Sequence, residues 1–408
     1  MLLNLIFLGL ALLSGGLTRF FRSRICLLLA GFYCWLVISF PFSVWKGGSV
    51  GSLVQAARSL VLMAAIIALV SSVRDALRMM CVIGFAETTA GLMSKLAGQA
   101  SETERLVLAA GTFSDPNIYC GLLFMGLPFL WLAARNAAHP LHKLVYMTAT
   151  VPILAAGLAT GSRAGLIMLC VMLGLLFWRL PATRKLRLLV GAGCLLAVTP
   201  LLLPSHIVER YTTLLGTPAE EGPSAERFKY LDAATTSTAG RLYLLQRSLE
   251  LTAKNPLFGV GPGMFTVAED KDARARGLRR GNWHETHNSY TQVSAEAGLP
   301  AFVLYTSALL LALRALSRLR RALTPPASEE QEHARNGVVY LEVAFAGALI
   351  TALFLSIAYS GQLYVLVGLI VALERAVAQE HLGSAPALAN AAPSSLRPAE
   401  PHAPAWRH

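Results

Sequence analysis

Charge is what this chain has least of. Only 14% of its 408 residues are charged and 55% are hydrophobic, where a soluble domain carries roughly 25% charged residues. Together with a mean hydropathy of +0.54, that deficit excludes an ordinary soluble enzyme. Acidic residues are scarcer than basic ones, 23 against 35, giving a net charge of +12. In a nucleic-acid binder the excess would gather on one soluble face. Here it falls in short connections between apolar runs, the pattern of membrane topology, so no nucleic-acid partner is expected. Cysteine is sparse too. Cys26, Cys34, Cys81, Cys120, Cys170 and Cys194 lie in or beside apolar runs and read as small buried hydrophobes. None has metal-ligand spacing, and no disulfide framework is expected. The nearest approach to a phosphate-binding loop is GVGPG at 259–263. It follows no strand and opens no helix of a nucleotide fold, so a nucleotide is not expected.

What the sequence does have is long apolar runs. A membrane helix needs about 20 mostly apolar residues, and candidate spans fall at 2–18, 25–44, 53–72, 79–97, 117–134, 144–161, 164–179, 187–203, 292–313, 337–358 and 362–378. No basic segment precedes the first, so it reads as a retained helix and not a cleaved signal. The expected fold is all-α: a polytopic transmembrane bundle of about eleven to twelve spans, with one large, partly helical external loop. The chain divides into N-terminal membrane helices (1–203), the loop (204–290), C-terminal membrane helices (291–378) and a disordered cytoplasmic tail rich in Ala, Pro and Ser (379–408).

Orientation follows from the basic connections. Arg22 and Arg24 follow the first span, Arg74 and Arg78 the third, Arg135 and Lys143 the fifth, Arg184 and Lys185 the seventh, Arg318 and Arg320 the ninth. Every second connection is basic and should be cytoplasmic. This places the N-terminus outside, the C-terminus inside and the long loop outside. Within that loop RLYLLQRSLELTAK (241–254) has apolar residues at helical spacing, and NPLFGVGPGMF (255–265) is a Gly/Pro turn region.

Several residues carry chemistry, each beside a plainer reading. The basic run KDARARGLRRG (271–281), with Arg274, Arg276, Arg279 and Arg280, suits an anionic head group such as a diphosphate, or is a solvated loop. Arg163 in ATGSRAG (159–165) sits at the outer mouth among small residues, which admit a bulky ligand. It is either a functional cation or a snorkelling arginine in a tight turn. Arg58, about one and a half turns inside the third span, offers the same two readings. In WHETHNSYTQVSAEAGLPAF (283–302), His284 and His287 lack the acidic or thiol partners a metal needs. His287 suits a general base for a sugar hydroxyl, or a capping residue beside Asn288. Glu296 either orients that histidine, binds sugar hydroxyls or is solvated. Asp115-Pro116-Asn117 reads as a helix start.

SDPNIYCGLL, TGSRAG, AGRLYLLQRSLELTAKNPLFGVGPGMF and HNSYTQVSAEAGLPAF, in that order, resemble the O-antigen ligase and O-antigen polymerase superfamily of bacterial envelope proteins. The resemblance covers about two thirds of the chain. It implies glycan transfer from undecaprenyl diphosphate to lipid A–core or a lipid-linked glycan, at the periplasmic face of the inner membrane. It implies a GT-C-type glycosyltransferase architecture, with no metal, nucleotide or other cofactor. Carried over by motif, the catalytic residues are Arg163, Arg241 and His287, with Arg247 a neighbouring candidate for substrate binding beside Arg58, Arg279, Arg280 and Glu296. Members often have about twelve spans with both ends inside, one more than counted here. Three activities stand open: a ligase, a polymerase of the same superfamily, and, from a different class, a transporter. The last would need internal repeats and helices broken near the midplane, which the sequence does not display.

Overall fold

A computed structural model describes residues 9, 15–98, 100–101, 104–109, 111–212, 225–277 and 284–390, with some side chains inside helices left out. The described residues are all-α, and their only β feature is an isolated bridge between Ala100 and Leu106. A short α1 (Gly16–Phe21) leads into α2 (Arg24–Ser39), α3 (Lys46–Leu69), α4 (Val73–Ala97), α5 (Pro116–Asn136), α6 (Pro140–Ala159), α7 (Arg163–Arg179) and α8 (Ala182–Leu202). The long loop holds α9 (Ser205–Thr212), α10 (Ala225–Lys254) and α11 (Phe265–Ala275). Then come α12 (Ser289–Ala322), α13 (Glu329–Ala352) and α14 (Gly361–Asn390). Helix starts are fixed by side chains that occupy the orphan N–H groups. Ser72 and Asp75 form a capping box, Asp115 accepts from Asn117 and Ile118, and Asn288 accepts from Tyr290 and Thr291.

Seven described helices, α2 (with its 3-10 extension to Phe42), α3, α4, α5, α6, α12 and α14, are long and apolar enough to cross a membrane. The sequence predicts about eleven. The first expected span lies largely outside the described residues. The others fall on α7, at 17 residues near the lower limit of about 17–25, on α8, which carries Arg184, Lys185 and Arg187 in its first turns, and on α13, whose first turn is acidic. Helix α14 runs to Asn390, past the expected start of a disordered tail at 379.

Glycines let α5 form the centre. A Cβ at Gly157 of α6 would collide with the Phe124 ring, and one at Gly165 of α7 with the Cys120 sulfur. Close approach of this kind is how membrane helices associate without a hydrophobic drive between them. It holds the α6–α7 turn beside the start of α5.

Charge separates by bundle end. At one end Arg179 and Arg320 reach Glu342 at 2.8 and 3.2 Å, Arg318 reaches Glu374 at 3.1 Å, and Arg135 donates to Asn336 at 2.8 Å. At the other end lie residues 43–45, the described residues between 98 and 115, residues 160–162 and 353–360, and the described part of the long loop, 205–212 and 225–277.

Helix α12 is broken. Gly298 has φ 82 and Pro300 follows it. Pro300 has no N–H, and the Leu299 N–H is diverted to the Pro256 carbonyl at 2.7 Å. The carbonyls of residues 295–297 would be left open, but each finds another donor. Val260 N–H donates to Ala295 at 2.9 Å, Gly261 N–H to Glu296 at 2.8 Å, and the Trp35 indole to Ala297 at 3.0 Å. Phe258, stacked on Phe42 with centroids 4.0 Å apart and on Trp35 at 5.8 Å, pins this turn to α2. Leu244, Leu251, Val260, Met264, Phe265, Ala268 and Ala295 build a second small core, so residues 244–268 of the long loop form a packed layer tied to α12.

Two outcomes are expected. In a background lacking the six native cysteines, Ala275→Cys should react with an impermeant maleimide in cells whose outer membrane is permeabilised, and Ala138→Cys only after lysis. Labelling in the opposite sense would reverse the orientation. Gly298→Ala would drive a Cβ into the Leu257 carbonyl at a positive φ. It should destabilise the detergent-purified protein by about 2–3 kcal/mol or more, seen as a lowered Tm.

Candidate functional site

At the end opposite Arg179, Arg318 and Arg320, cations gather around the turn between α6 and α7. The last turn of α6 and the turn after it present carbonyls that collect donors. Arg105 Nε reaches Thr160 O at 2.6 Å, Tyr211 OH reaches Leu158 O at 2.8 Å, and Arg210 Nε lies 3.5 Å from Gly161 O. Arg105 also donates to Asn117 Oδ1 at 2.8 Å, tying this turn to the start of α5. Cations at a helix C-terminus are favourable, so Arg105 and Arg210 have a structural role here besides any other. Arg163 opens α7 directly after the turn, its helix capped by Ser162, which accepts from Gly165 N–H at 3.2 Å.

Arg241 comes from α10 and His287 from the segment before α12. The fields of these groups overlap. Arg241 is held below the ordinary arginine value by loss of solvent, then by Arg163, with Asp115 opposing and Arg210 adding. Arg210 is lowered by burial and by Arg163, and Arg105 is pushed down to about 10 by burial, then by Arg210, with Asp115 opposing. All remain cations at neutral pH. Four arginines thus share one neighbourhood, and Asp115 is the carboxylate whose field reaches Arg105, Arg241 and His287. Among the described residues the Arg241 side chain makes no ion pair or hydrogen bond. Mutual repulsion of this kind is relieved by a bound anion with several oxygens.

His287 has φ 49, a left-handed backbone rare for a residue with a side chain. Its neighbours over-determine that conformation. Thr286 shares a hydrogen bond with Ser356 at 2.9 Å, Asn288 Nδ2 donates to Leu353 O at 3.2 Å, and Ser289 donates to Leu355 O at 2.6 Å. The start of α12 is thereby stitched to the α13–α14 connection. Burial lowers the imidazole's pKa, Arg241 and His284 lower it further, and Asp115 opposes them. A neutral, half-buried imidazole beside a cationic cup can accept a proton.

The structure brings Arg163, Arg241 and His287 together and separates the other candidates. Arg247 is 2% exposed and pairs with Glu250 and Asp272. Six residues on from Arg241, it is turned about 240° around the helix at roughly 100° per residue, and so joins α10 to α11. Glu296 is buried, its carboxylate accepting from Gly263 N–H at 2.9 Å and Phe265 N–H at 3.4 Å, where it caps α11. Helix α3 starts at Lys46, seven residues before the expected span, so Arg58 lies about three turns from that end and is exposed. In the basic run, Arg274 pairs with Asp270 at 2.9 Å and Arg276 with Asp272 at 3.2 Å. Arg279 and Arg280 lie outside the described residues. Arg105 and Arg210 were not singled out in the sequence. In HIVERY (206–211) of α9, Arg210 stands between Glu209 and Tyr211, and no local pattern marks it.

The fold is that of a polytopic helical membrane protein, and four arginines and a histidine neighbour one another at one end of its bundle. A family model described as O-antigen ligase matches residues 148–306, from the second half of α6 to the middle of α12. The match supports membership in that superfamily in broad terms, and it contains Arg163, Arg210, Arg241 and His287. No curated protein matches the chain in sequence. The match and the bundle support a membrane enzyme of ligase or polymerase type acting on lipid-linked glycans.

The separation of Arg247 from the cup is testable. Arg247→Met leaves Glu250 partly solvated and Asp272 still paired with Lys254 and Arg276. It should cost about 2–3 kcal/mol of stability, below the roughly 3–5 of a fully buried pair. The Tm should fall while the donor KM stays unchanged; a KM effect at unchanged Tm would return Arg247 to the binding site.

Proposed function

We propose that this chain is an inner-membrane glycosyltransferase of GT-C type, with about eleven to twelve spans. It moves glycan from undecaprenyl diphosphate to lipid A–core at the periplasmic face, as an O-antigen ligase. The observation that carries this reading is the convergence of Arg163, Arg210 and Arg241 on one neighbourhood with His287 beside them. The match to an O-antigen ligase family model supports the ligase or polymerase class in general terms, and the ligase is the member of that class proposed here.

The chemistry needs little more than those groups. Breaking the bond between the anomeric carbon and the diphosphate oxygen loads negative charge on the leaving group. Guanidinium forks placed there stabilise that charge as it develops. The acceptor hydroxyl attacks the anomeric carbon and gives its proton to the neutral His287 imidazole. Products are the glycosylated acceptor and undecaprenyl diphosphate, with the proton on the histidine until it passes to solvent. Outside the cytoplasmic face nucleotide sugars are absent, and a lipid-linked donor supplies the energy.

Purified protein given lipid-diphosphate glycan and lipid A–core should form the joined product. Arg163→Ala and His287→Ala should each lower transfer by at least about 10²-fold while the protein stays folded and inserted. Arg163→Lys should recover little, because a point charge replaces a bidentate fork. Full activity of His287→Ala would remove the histidine from the mechanism. Chain growth without lipid A–core would make the enzyme a polymerase.

The pH dependence has a defined sign. The active form of the base is neutral, and its pKa lies below the ordinary histidine value. Activity should therefore persist as pH falls through about 6.5 and be lost only below it. Asp115→Asn keeps the helix cap and removes a charge that raises the histidine, so the acid limb should move lower. His284→Ala removes a group that lowers it, so the limb should move higher. Shifts in the same direction in both variants would show that another group sets the limb.

A further inference from the structure

A cavity of about 780 Å³ opens between α5, α6, α7 and α8, with Lys95 of α4 and Tyr340 of α13 also in its wall; none of Arg163, Arg210, Arg241 and His287 lines it. Its size is that of a pocket for a substantial ligand, roughly 300–1,000 Å³. The two halves of its lining differ. Leu154 on α6, Leu173 on α7 and Leu188 on α8 make an apolar shaft. The end nearer the α5–α6 and α7–α8 connections is rimmed by Arg135, Lys143, Arg184 and Arg187.

The rim cations are treated unlike their neighbours. Arg179, Arg320 and Arg318 on the same bundle end have carboxylate partners in Glu342 and Glu374. Arg135 leans on Asn336 and on Glu332 at 3.6 Å. Among the described residues, Lys143, Arg184 and Arg187 have neither an ion pair nor a hydrogen bond from their side chains. Cations left without carboxylates at the mouth of an apolar shaft match a molecule with an anionic head and an apolar tail. Basic pockets between membrane helices on the cytoplasmic side bind anionic lipid head groups.

We propose that this crevice binds one anionic phospholipid, its phosphate held by Lys143, Arg184 and Arg187 and an acyl chain lying in the Leu154–Leu173–Leu188 shaft. The lipid fills the gap between α6 and α8 and fastens α8, which leans on the bundle through α7. The rim that holds the head group stands at the other end of the bundle from Arg163.

Native mass spectrometry of the purified full chain tests this, with phosphatidylglycerol and phosphatidylethanolamine of identical acyl chains. Phosphatidylglycerol should be retained with about a tenfold preference. The Lys143→Gln/Arg184→Gln/Arg187→Gln variant should lose most of that preference, whereas Arg318→Gln and Arg163→Gln should keep it. Leu173→Trp, which fills the shaft and leaves the rim intact, should also lose it, so the proposal does not hang on one variant folding. Equal retention of the two lipids, a preference that survives both the rim and the shaft substitutions, or its loss in Arg163→Gln would overturn the proposal. So would competition by soluble glycerol phosphate as effective as by phosphatidylglycerol, since the shaft would then contribute nothing.

Discussion

The arrangement of this protein depends on where the carbonyls of Ala295, Glu296 and Ala297 find their hydrogens. A helix broken by Gly298 and Pro300 exposes those groups at the edge of an apolar bundle, where an unpaired one costs several kcal/mol. Donors come from the 256–261 turn and from Trp35. The same contacts decide what stands around the cup. The turn continues backwards into α10, which carries Arg241, and forwards into α11, whose N-terminus is capped by the Glu296 carboxylate. The half of α12 before the break is capped by Asn288, directly after His287. Without the break the loop would be a tether; with it, the loop is a layer of the protein.

The cup follows from a second constraint, the crowded end of α6. Gly157 and Gly165 let α6 and α7 close on α5 so tightly that the turn between them sits against the start of α5. The carbonyls at that turn then draw in Arg105, Arg210 and Tyr211. Structural demand and the attraction of an anion therefore reinforce each other. Arginines that satisfy helix-end carbonyls also raise the positive potential felt at Arg163 and Arg241.

Much of this was legible in the sequence because membrane physics writes itself in composition. Apolar runs marked most of the helices, and the alternation of Arg and Lys gave the separation of bundle ends seen in the paired Arg179, Arg320 and Arg318. Arg163 and His287 stood out as polar residues in small-residue or turn surroundings. Other features depend on tertiary contacts that no local pattern encodes. Arg105 lies in a segment without periodicity, and its importance comes from the Thr160 carbonyl 55 residues away. Glu296 looked like a residue near the membrane surface, and became a buried cap because a loop 30 residues upstream delivered a helix N-terminus to it. Arg241 and Arg247 were hard to rank by proximity alone, but helical geometry separates them onto different faces.

The interlock between the 256–261 turn and α12 also bears on how the chain is assembled. Membrane proteins are made from the N-terminus onward, so α2 with Trp35 is in place long before residue 297 emerges. The turn that supplies Val260 and Gly261 is also synthesised before α12. When α12 arrives, donors for all three exposed carbonyls are already waiting, and the partners lie only about 35–40 residues back for the turn. The break in this helix is thus completed by segments synthesised before it, and its insertion need not await any later part of the polypeptide.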